Sequence, residues 1–498
     1  MDETQATVLN LEESEAVLAA GEAGGRVIRG GTLRTSGYLA GTLAATAASV
    51  ILLRYLGVVN VGRYVTVMSL LAVAAGLADA GLTVIGQREY TVAATATARR
   101  EVLGDVLAVR LVLTPLAVLA AALFALLAGY DRTMVLGTLI GGVGIVISAA
   151  TTTMTVPLST QLRLGAVTAT EVTRQVVTAA ALAGLALAGA GLLPFFAVSI
   201  LSGAASLGLA LVMVGAAGRV APRFAPGEWR PLIVEAAPVA VALTASVLYV
   251  RGLVVLTSLL ASAVQTGYFA TSFRLLEAFA AISVVMIGSA FPVLAHAADT
   301  DEARLAFGLQ RVAQVMLFVA LGIVLALVFG AHPIVRLLAG PGYAPAARVL
   351  QIQAFALLGG FMTQVWVTGL VAVRGQRALV LTNVLALAAV VILGPALIPP
   401  LGARGAALAS VGGEAVLCAA TLVMLQRARP GMRLGGDWVA RAIGAALVGA
   451  ACGLLVPGGD IAATIAAVVA FAAAALAFGA VPREVFAELL SRPRPQGR

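Results

Sequence analysis

Beyond residue 36 the chain repeats one pattern: a long apolar run, then a short polar break that usually carries arginine. A helix crossing a bilayer needs roughly 20 such residues. The runs predict membrane helices over 37–57, 64–86, 106–128, 134–155, 166–190, 192–216, 233–260, 267–294, 310–330, 349–373, 378–398, 404–425, 440–457 and 460–480. Apolar positions are continuous within each run rather than alternating, which excludes a membrane β-barrel. Glycines are frequent inside the runs, and Gly137 and Gly141 are spaced for close helix contact.

Residues 217–231 form a basic, proline-bearing break with six runs before it and six after it, followed by two more at the C-terminal end. A short echo relates the two sides, because Gly62, Thr66, Leu70 and Leu71 recur in order as Gly267, Thr271, Leu275 and Leu276. Six crossings is an even number, so both halves would enter from the same face as parallel repeats. The expected fold class is an all-α polytopic membrane protein of about 14 transmembrane helices, as two parallel six-helix bundles plus two C-terminal helices. The expected organisation is an acidic cytosolic tail (1–30), a first bundle (31–216), a cytosolic linker (217–231), a second bundle (232–426), helices 13–14 (427–482) and a basic cytosolic tail (483–498).

Composition strengthens this picture. The chain is 61% hydrophobic and 11% charged, against about half and about a quarter in soluble domains. A soluble enzyme and a disordered chain are both excluded. All 32 basic residues are arginine, so the lysine of a phosphate-binding P-loop is missing. Those arginines are scattered rather than clustered, which removes nucleic acid as a partner. With the N-terminus placed inside, 22 of them fall on the cytosolic face, 6 outside (Arg54, Arg63, Arg132, Arg336, Arg348, Arg404) and 4 within spans. This is the positive-inside distribution of a multi-pass protein of the cell (cytoplasmic) membrane, with both termini cytosolic. Cys418 and Cys452 lie in apolar runs, and His296 and His332 are too few for a three-histidine zinc site. Asp299-Thr-Asp301 has the D-x-D form of a metal motif but reads as a solvated loop. No cofactor is expected.

An ordered series of short motifs resembles the polysaccharide (O-antigen, Wzx-type) flippases of the multidrug/oligosaccharidyl-lipid/polysaccharide flippase superfamily. It comprises Arg54-Tyr-Leu-Gly57, Gly62-Arg-Tyr64, Asp79-Ala-Gly-Leu82, Arg88-Glu89, Glu235-Ala-Ala-Pro238, Gly267-Tyr268, Phe291-Pro292, Gly342-Tyr343-Ala-Pro-Ala-Ala347 and Gly402-Ala-Arg-Gly-Ala-Ala407. One departure is Arg251, where the family often carries an acidic residue. The resemblance implies a non-enzymatic transporter that moves a polyprenyl-diphosphate oligosaccharide from the inner to the outer leaflet by alternating access. Its partners would be that lipid-linked sugar, the bilayer, and the polymerase and glycosyltransferases of the same pathway.

Charges inside the spans mark the candidate site, because hydrocarbon tolerates them only in a protein interior or a wet cavity. Arg174, Arg251 and Arg274 are expected in a cavity between the halves, where guanidinium forks would hold phosphate. Asp79, Glu171, Glu277 and Glu414 are expected as their charge partners or as sites for a coupling ion. Glu171/Arg174 and Arg274/Glu277 are each three apart, so each pair shares one helix face. Arg110, near a helix end, has snorkelling to the interface as an equal reading. The alternatives are an ion-coupled multidrug/cation antiporter, which calls for a cavity of acids and aromatics, and a membrane-embedded polysaccharide polymerase or ligase.

Overall fold

The computed structural model describes residues 22–79, 81–161, 163–300, 302–431 and 436–480. Most of the expected acidic tail, all of the basic tail, and Asp301 of the D-x-D lie outside the described residues. Among those described, every element is helical: α1 (Glu22–Asp79), α2 (Leu82–Val92), α3 (Ala96–Leu127), α4 (Arg132–Met154), α5 (Val156–Thr160), α6 (Leu164–Leu187), α7 (Leu192–Gly218), α8 (Pro226–Leu260), α9 (Ala263–Thr300), α10 (Glu302–Leu338), α11 (Ala346–Gln353), α12 (Ala356–Ala372), α13 (Gln376–Leu401), α14 (Ala403–Ala428), α15 (Asp437–Leu455) and α16 (Gly459–Ala477), with a 3₁₀ turn at Pro341–Tyr343.

Twelve stretches among the described residues are long and apolar enough to cross a membrane, fewer than the fourteen runs of the sequence pattern. Two features make the difference. The first two runs fall in one helical stretch, Ala44–Val92, of 49 residues. Straight, it would extend about 70 Å at ~1.5 Å per residue. Instead, backbone in the left-handed region at Gly57 (φ 72°, ψ 168°) breaks it. Ser49 and Tyr64, on opposite sides of that break, both reach the Arg274 guanidinium, at 3.0 Å to the Ser49 hydroxyl and 5.5 Å to the Tyr64 ring centroid. Only limbs folded side by side allow this. The second feature is α6, whose 24 residues carry Glu171, Arg174, Gln175 and several threonines and so fall short in apolarity.

Polar residues fix the helix entries. The Thr95 side chain accepts the Ala98 N–H at 3.1 Å at the start of α3. Asp131 accepts the Met134 N–H at 2.9 Å at the start of α4 and also pairs with Arg63 of α1 at 2.9 Å. Each side chain thus satisfies a donor that the first helical turn leaves without a partner. Between α4 and α7 small residues let the backbones approach: Gly137 is covered by the Phe196 ring, and the Ser199 hydroxyl donates to the Gly141 carbonyl at 3.3 Å. The connection after α7 is clasped to α3, with the Arg223 N–H donating to Gly104 O at 3.0 Å and its guanidinium 3.3 Å from Asp105.

The early helices meet the later ones along a seam built on α1, which packs against both α8 and α9. At Gly62 and Gly267 the approach is so close that a Cβ added to Gly62 would stand 2.9 Å from the Gly267 nitrogen. These are the first residues of the two echoed series, and they meet each other across the seam. Tyr343 ties the same region by donating to the Leu53 carbonyl at 2.8 Å. Helices α15 and α16 pack on one another and against α10.

Candidate functional site

Four arginines lie within the spans, and they occupy four different environments. Arg110 of α3 is 1% exposed. It forms an ion pair with Asp79 of α1 and donates to the hydroxyls of Thr83 (2.5 Å) and Thr153 (2.7 Å). Snorkelling is therefore not what Arg110 does: its charge is enclosed and its two terminal nitrogens donate to Asp79, Thr83, Thr153 and the Ala149 carbonyl. Arg174 pairs at 2.5 Å with Glu171 one turn away, and Gln175 donates to the same carboxylate at 2.8 Å. The spacing argument holds for that pair. For Arg274 and Glu277 the shared face does not make a pair: Glu277 pairs across to Arg251 of α8 at 2.8 Å, and the Arg251 guanidinium also rests 5.4 Å from the Phe273 ring centroid.

Arg274 is left differently. It donates to Ser49 and lies against the face of Tyr64, both in α1. Among the described residues it is the intramembrane arginine with no carboxylate partner. A hydroxyl and a ring face stabilise a guanidinium without neutralising it. Arg274 thus holds an uncompensated positive charge at the seam between early and late helices.

A cavity of about 560 Å³ opens beside these residues, lined by Tyr249, Glu277, Thr363, Gln364, Asn383 and Glu414 among others. Its lining comes entirely from residues 246–417, so it lies within the later helices rather than between the halves. Neither Arg174, Arg251 nor Arg274 lines it, and its charged walls are the carboxylates Glu277 and Glu414. The Tyr249 hydroxyl lies beside the Glu414 carboxylate, whose Oε2 is buried with no hydrogen-bond partner, as is the Thr363 hydroxyl on the same wall. Buried acceptors left this way are costly and mark either strain or a place for a ligand.

The sequence held one signal for this cluster. The doublets Gly359-Gly360 and Gly412-Gly413 flank Glu414: a Cβ on Gly360 would lie 3.7 Å from Oε2, and one on Gly413 would lie 3.0 Å from the Tyr249 ring. The glycines let three helices converge on one carboxylate. Nothing in the local pattern named Tyr249 or Thr363 as its neighbours. Asp79, the remaining acidic candidate, is used by Arg110 and Thr83 and faces neither site.

The comparisons with known proteins agree with this architecture. The chain matches the polysaccharide biosynthesis protein family over residues 27–298, more than half of its length, and belongs to that family. Its structure is similar to that of the lipid II flippase MurJ in an inward closed conformation, with TM-score 0.71 at 12% identity over 92% of this chain and 100% of that one. It is also similar to an inward-facing multidrug resistance MATE family transporter of the MOP superfamily (TM-score 0.62, 13% identity, 81% of this chain and 98% of that one). A further likeness is to a MOP superfamily transporter from Pyrococcus furiosus (TM-score 0.56, 13% identity, 82% of this chain and 95% of that one), described as having a binding pocket of reversed polarity. No curated protein matches the chain in sequence. At these identities the structural likenesses establish the fold, which is that of the MOP superfamily.

Proposed function

We propose that the protein is a flippase that carries a polyprenyl-diphosphate oligosaccharide from the inner to the outer leaflet of the cytoplasmic membrane, working by alternating access with both termini inside. The observation that carries this reading is Arg274, an uncompensated guanidinium at the seam between early and late helices. A diphosphate supplies the missing negative charge, and the planar fork binds its oxygens in pairs. Arg251, held by Glu277, can be released to substrate if Glu277 is neutralised. Arg174 keeps a place in this reading only as a peripheral contact. The seam is closed where Gly62 meets Gly267, so this conformation presents the headgroup site to the opposite face. Transport would then require the glycines to part.

The carboxylate cavity supplies the coupling. Glu414 Oε2 and the Thr363 hydroxyl, with Asn383 and Gln364 nearby, are hard oxygen ligands suited to a proton or an alkali cation. A cation entering there neutralises carboxylate charge next to the Glu277–Arg251 pair. A negative interior also favours expelling an anionic headgroup, by about 2.3 kcal/mol per charge per 100 mV. The polymerase and glycosyltransferases of surface polysaccharide synthesis are the partners this cargo implies.

One observation favours the antiporter reading: the cavity walls combine acids with aromatics, Glu277 and Glu414 beside Tyr249, Phe273 and Phe361. Vesicles reconstituted with the protein separate the two. Translocation of a fluorescent polyprenyl-diphosphate sugar should occur with the parent, fall at least about tenfold in Arg274→Gln, and recover in part in Arg274→Lys. Uptake of a cationic dye with no movement of the lipid-linked sugar would replace the flippase with the antiporter.

A further inference from the structure

A second basic concavity lies at the end of the molecule where α1 breaks and α10 ends. Arg54, Gly57, Arg336, Gly340, Pro341 and Tyr343 are among the residues lining about 620 Å³ there. Arg54 comes from the early helices and Arg336 from the late ones, so the pocket straddles the seam. The Arg54 guanidinium donates to the Leu337 carbonyl and has donors to spare. The Arg336 guanidinium has no partner among the described residues, and neither arginine forms an ion pair there. By contrast, Arg63 at the same end is neutralised by Asp131.

The arginine distribution makes this placement notable. Only 6 of 32 arginines fall at the end assigned to the outside, and two of those 6 line one pocket. Membrane orientation favours arginine on the other face, so it gives no reason for gathering two here. Their walls include glycine and proline turns, with Gly340 in the left-handed region at φ 100°, and bring no acidic side chain to the pocket. Two uncompensated guanidiniums facing one concavity suit an anion with several oxygens.

We infer that Arg54 and Arg336 form a phosphate-binding subsite at the outer mouth of the seam, taking the phosphate of a lipid headgroup. It is separate from Arg274. A phosphate taken by the spare donors of Arg54 and by Arg336 would bridge α1 to α10 beside the existing Arg54–Leu337 contact. The phosphate can come from a resident anionic phospholipid or from the diphosphate of a polyprenyl carrier.

The test uses the full chain purified in a neutral maltoside detergent, with thermal unfolding followed as probe is added. The probes are inorganic pyrophosphate, dihexanoyl phosphatidylglycerol and, as the uncharged control, dihexanoylglycerol. At least one phosphate probe should raise the unfolding temperature while the control does not. In an Arg274→Gln background, which removes the headgroup site proposed above, Arg54→Gln and Arg336→Gln should each weaken its apparent affinity about tenfold, and Arg404→Gln, at the same end but outside the pocket, should leave it unchanged. A response to phosphatidylglycerol alone identifies the phospholipid source, and a response to pyrophosphate alone the carrier diphosphate. No response to either probe overturns the subsite. So does a response in the Arg274→Gln background that survives both Arg54→Gln and Arg336→Gln, or one lost in Arg404→Gln. Arg336 is exposed in the last turn of α10, so its variant keeps the test open should Arg54→Gln misfold.

Discussion

The early and late helices each hold an arginine–carboxylate pair, and the two pairs have different surroundings. Asp79–Arg110 is closed in by Thr83 and Thr153, and Arg110 is 1% exposed. Arg251–Glu277 has side chains 31% and 39% exposed, and Glu277 faces a cavity that also holds Glu414 with its unpartnered Oε2. Charge alone therefore does not mark a working site. A guanidinium held by several acceptors from neighbouring helices keeps them in register, whereas a pair bordering a void can exchange partners.

The sharpest way to break this contrast is to remove one member of the enclosed pair. Asp79→Ala leaves the Arg110 charge buried without its carboxylate, and should cost about 3–5 kcal/mol. Thermal unfolding of the purified variant, or loss of the folded fraction in the membrane, measures it. If Asp79→Ala folds as well as the parent and only transport suffers, the enclosed pair is functional and the contrast fails.

Glu414→Gln comes next in size. It should keep the fold, with stability changed by about 1 kcal/mol or less because the amide can still meet Tyr249. Its translocation rate should stop responding to an imposed proton or sodium gradient, read in vesicles with the gradient set and then collapsed. A variant that still follows the gradient would move the coupling elsewhere.

The smallest effect belongs to Arg174→Ala. The Glu171–Arg174 pair lies one turn apart on a single helix with both side chains nearly half exposed, and such pairs are worth about 0.2–0.5 kcal/mol. Translocation within about twofold of the parent is expected. A large loss would return Arg174 to the headgroup site.

What the amino-acid sequence made legible follows from the range of each interaction. Helices were legible because burial in hydrocarbon is a local requirement on each run. The break at Gly57 was visible as the gap between two runs, although the backbone stays helical on both sides of it. Spacing placed Glu171 beside Arg174, since neighbours three apart on one helix need no tertiary information. The same rule put Arg274 and Glu277 on one face but could not supply their partners, Ser49 and Arg251, which come from other helices. The Gly62 and Gly267 echo was a long-range signal, and the two residues do meet. The carboxylate cavity was not foreseen as such, because Tyr249, Thr363 and Glu414 come from three helices and are assembled only by packing.

The exclusive use of arginine, with lysine absent from all 498 residues, has a further consequence. Guanidinium keeps its proton across the physiological range, whereas a desolvated ammonium can lose it. Alkalinity thus cannot discharge the cationic inventory of this protein, and the electrostatic landscape met by an anionic cargo is permanent on its positive side. Any acidity optimum measured for the transport cycle will be a titration curve of its carboxyl groups, with only two imidazoles to complicate it.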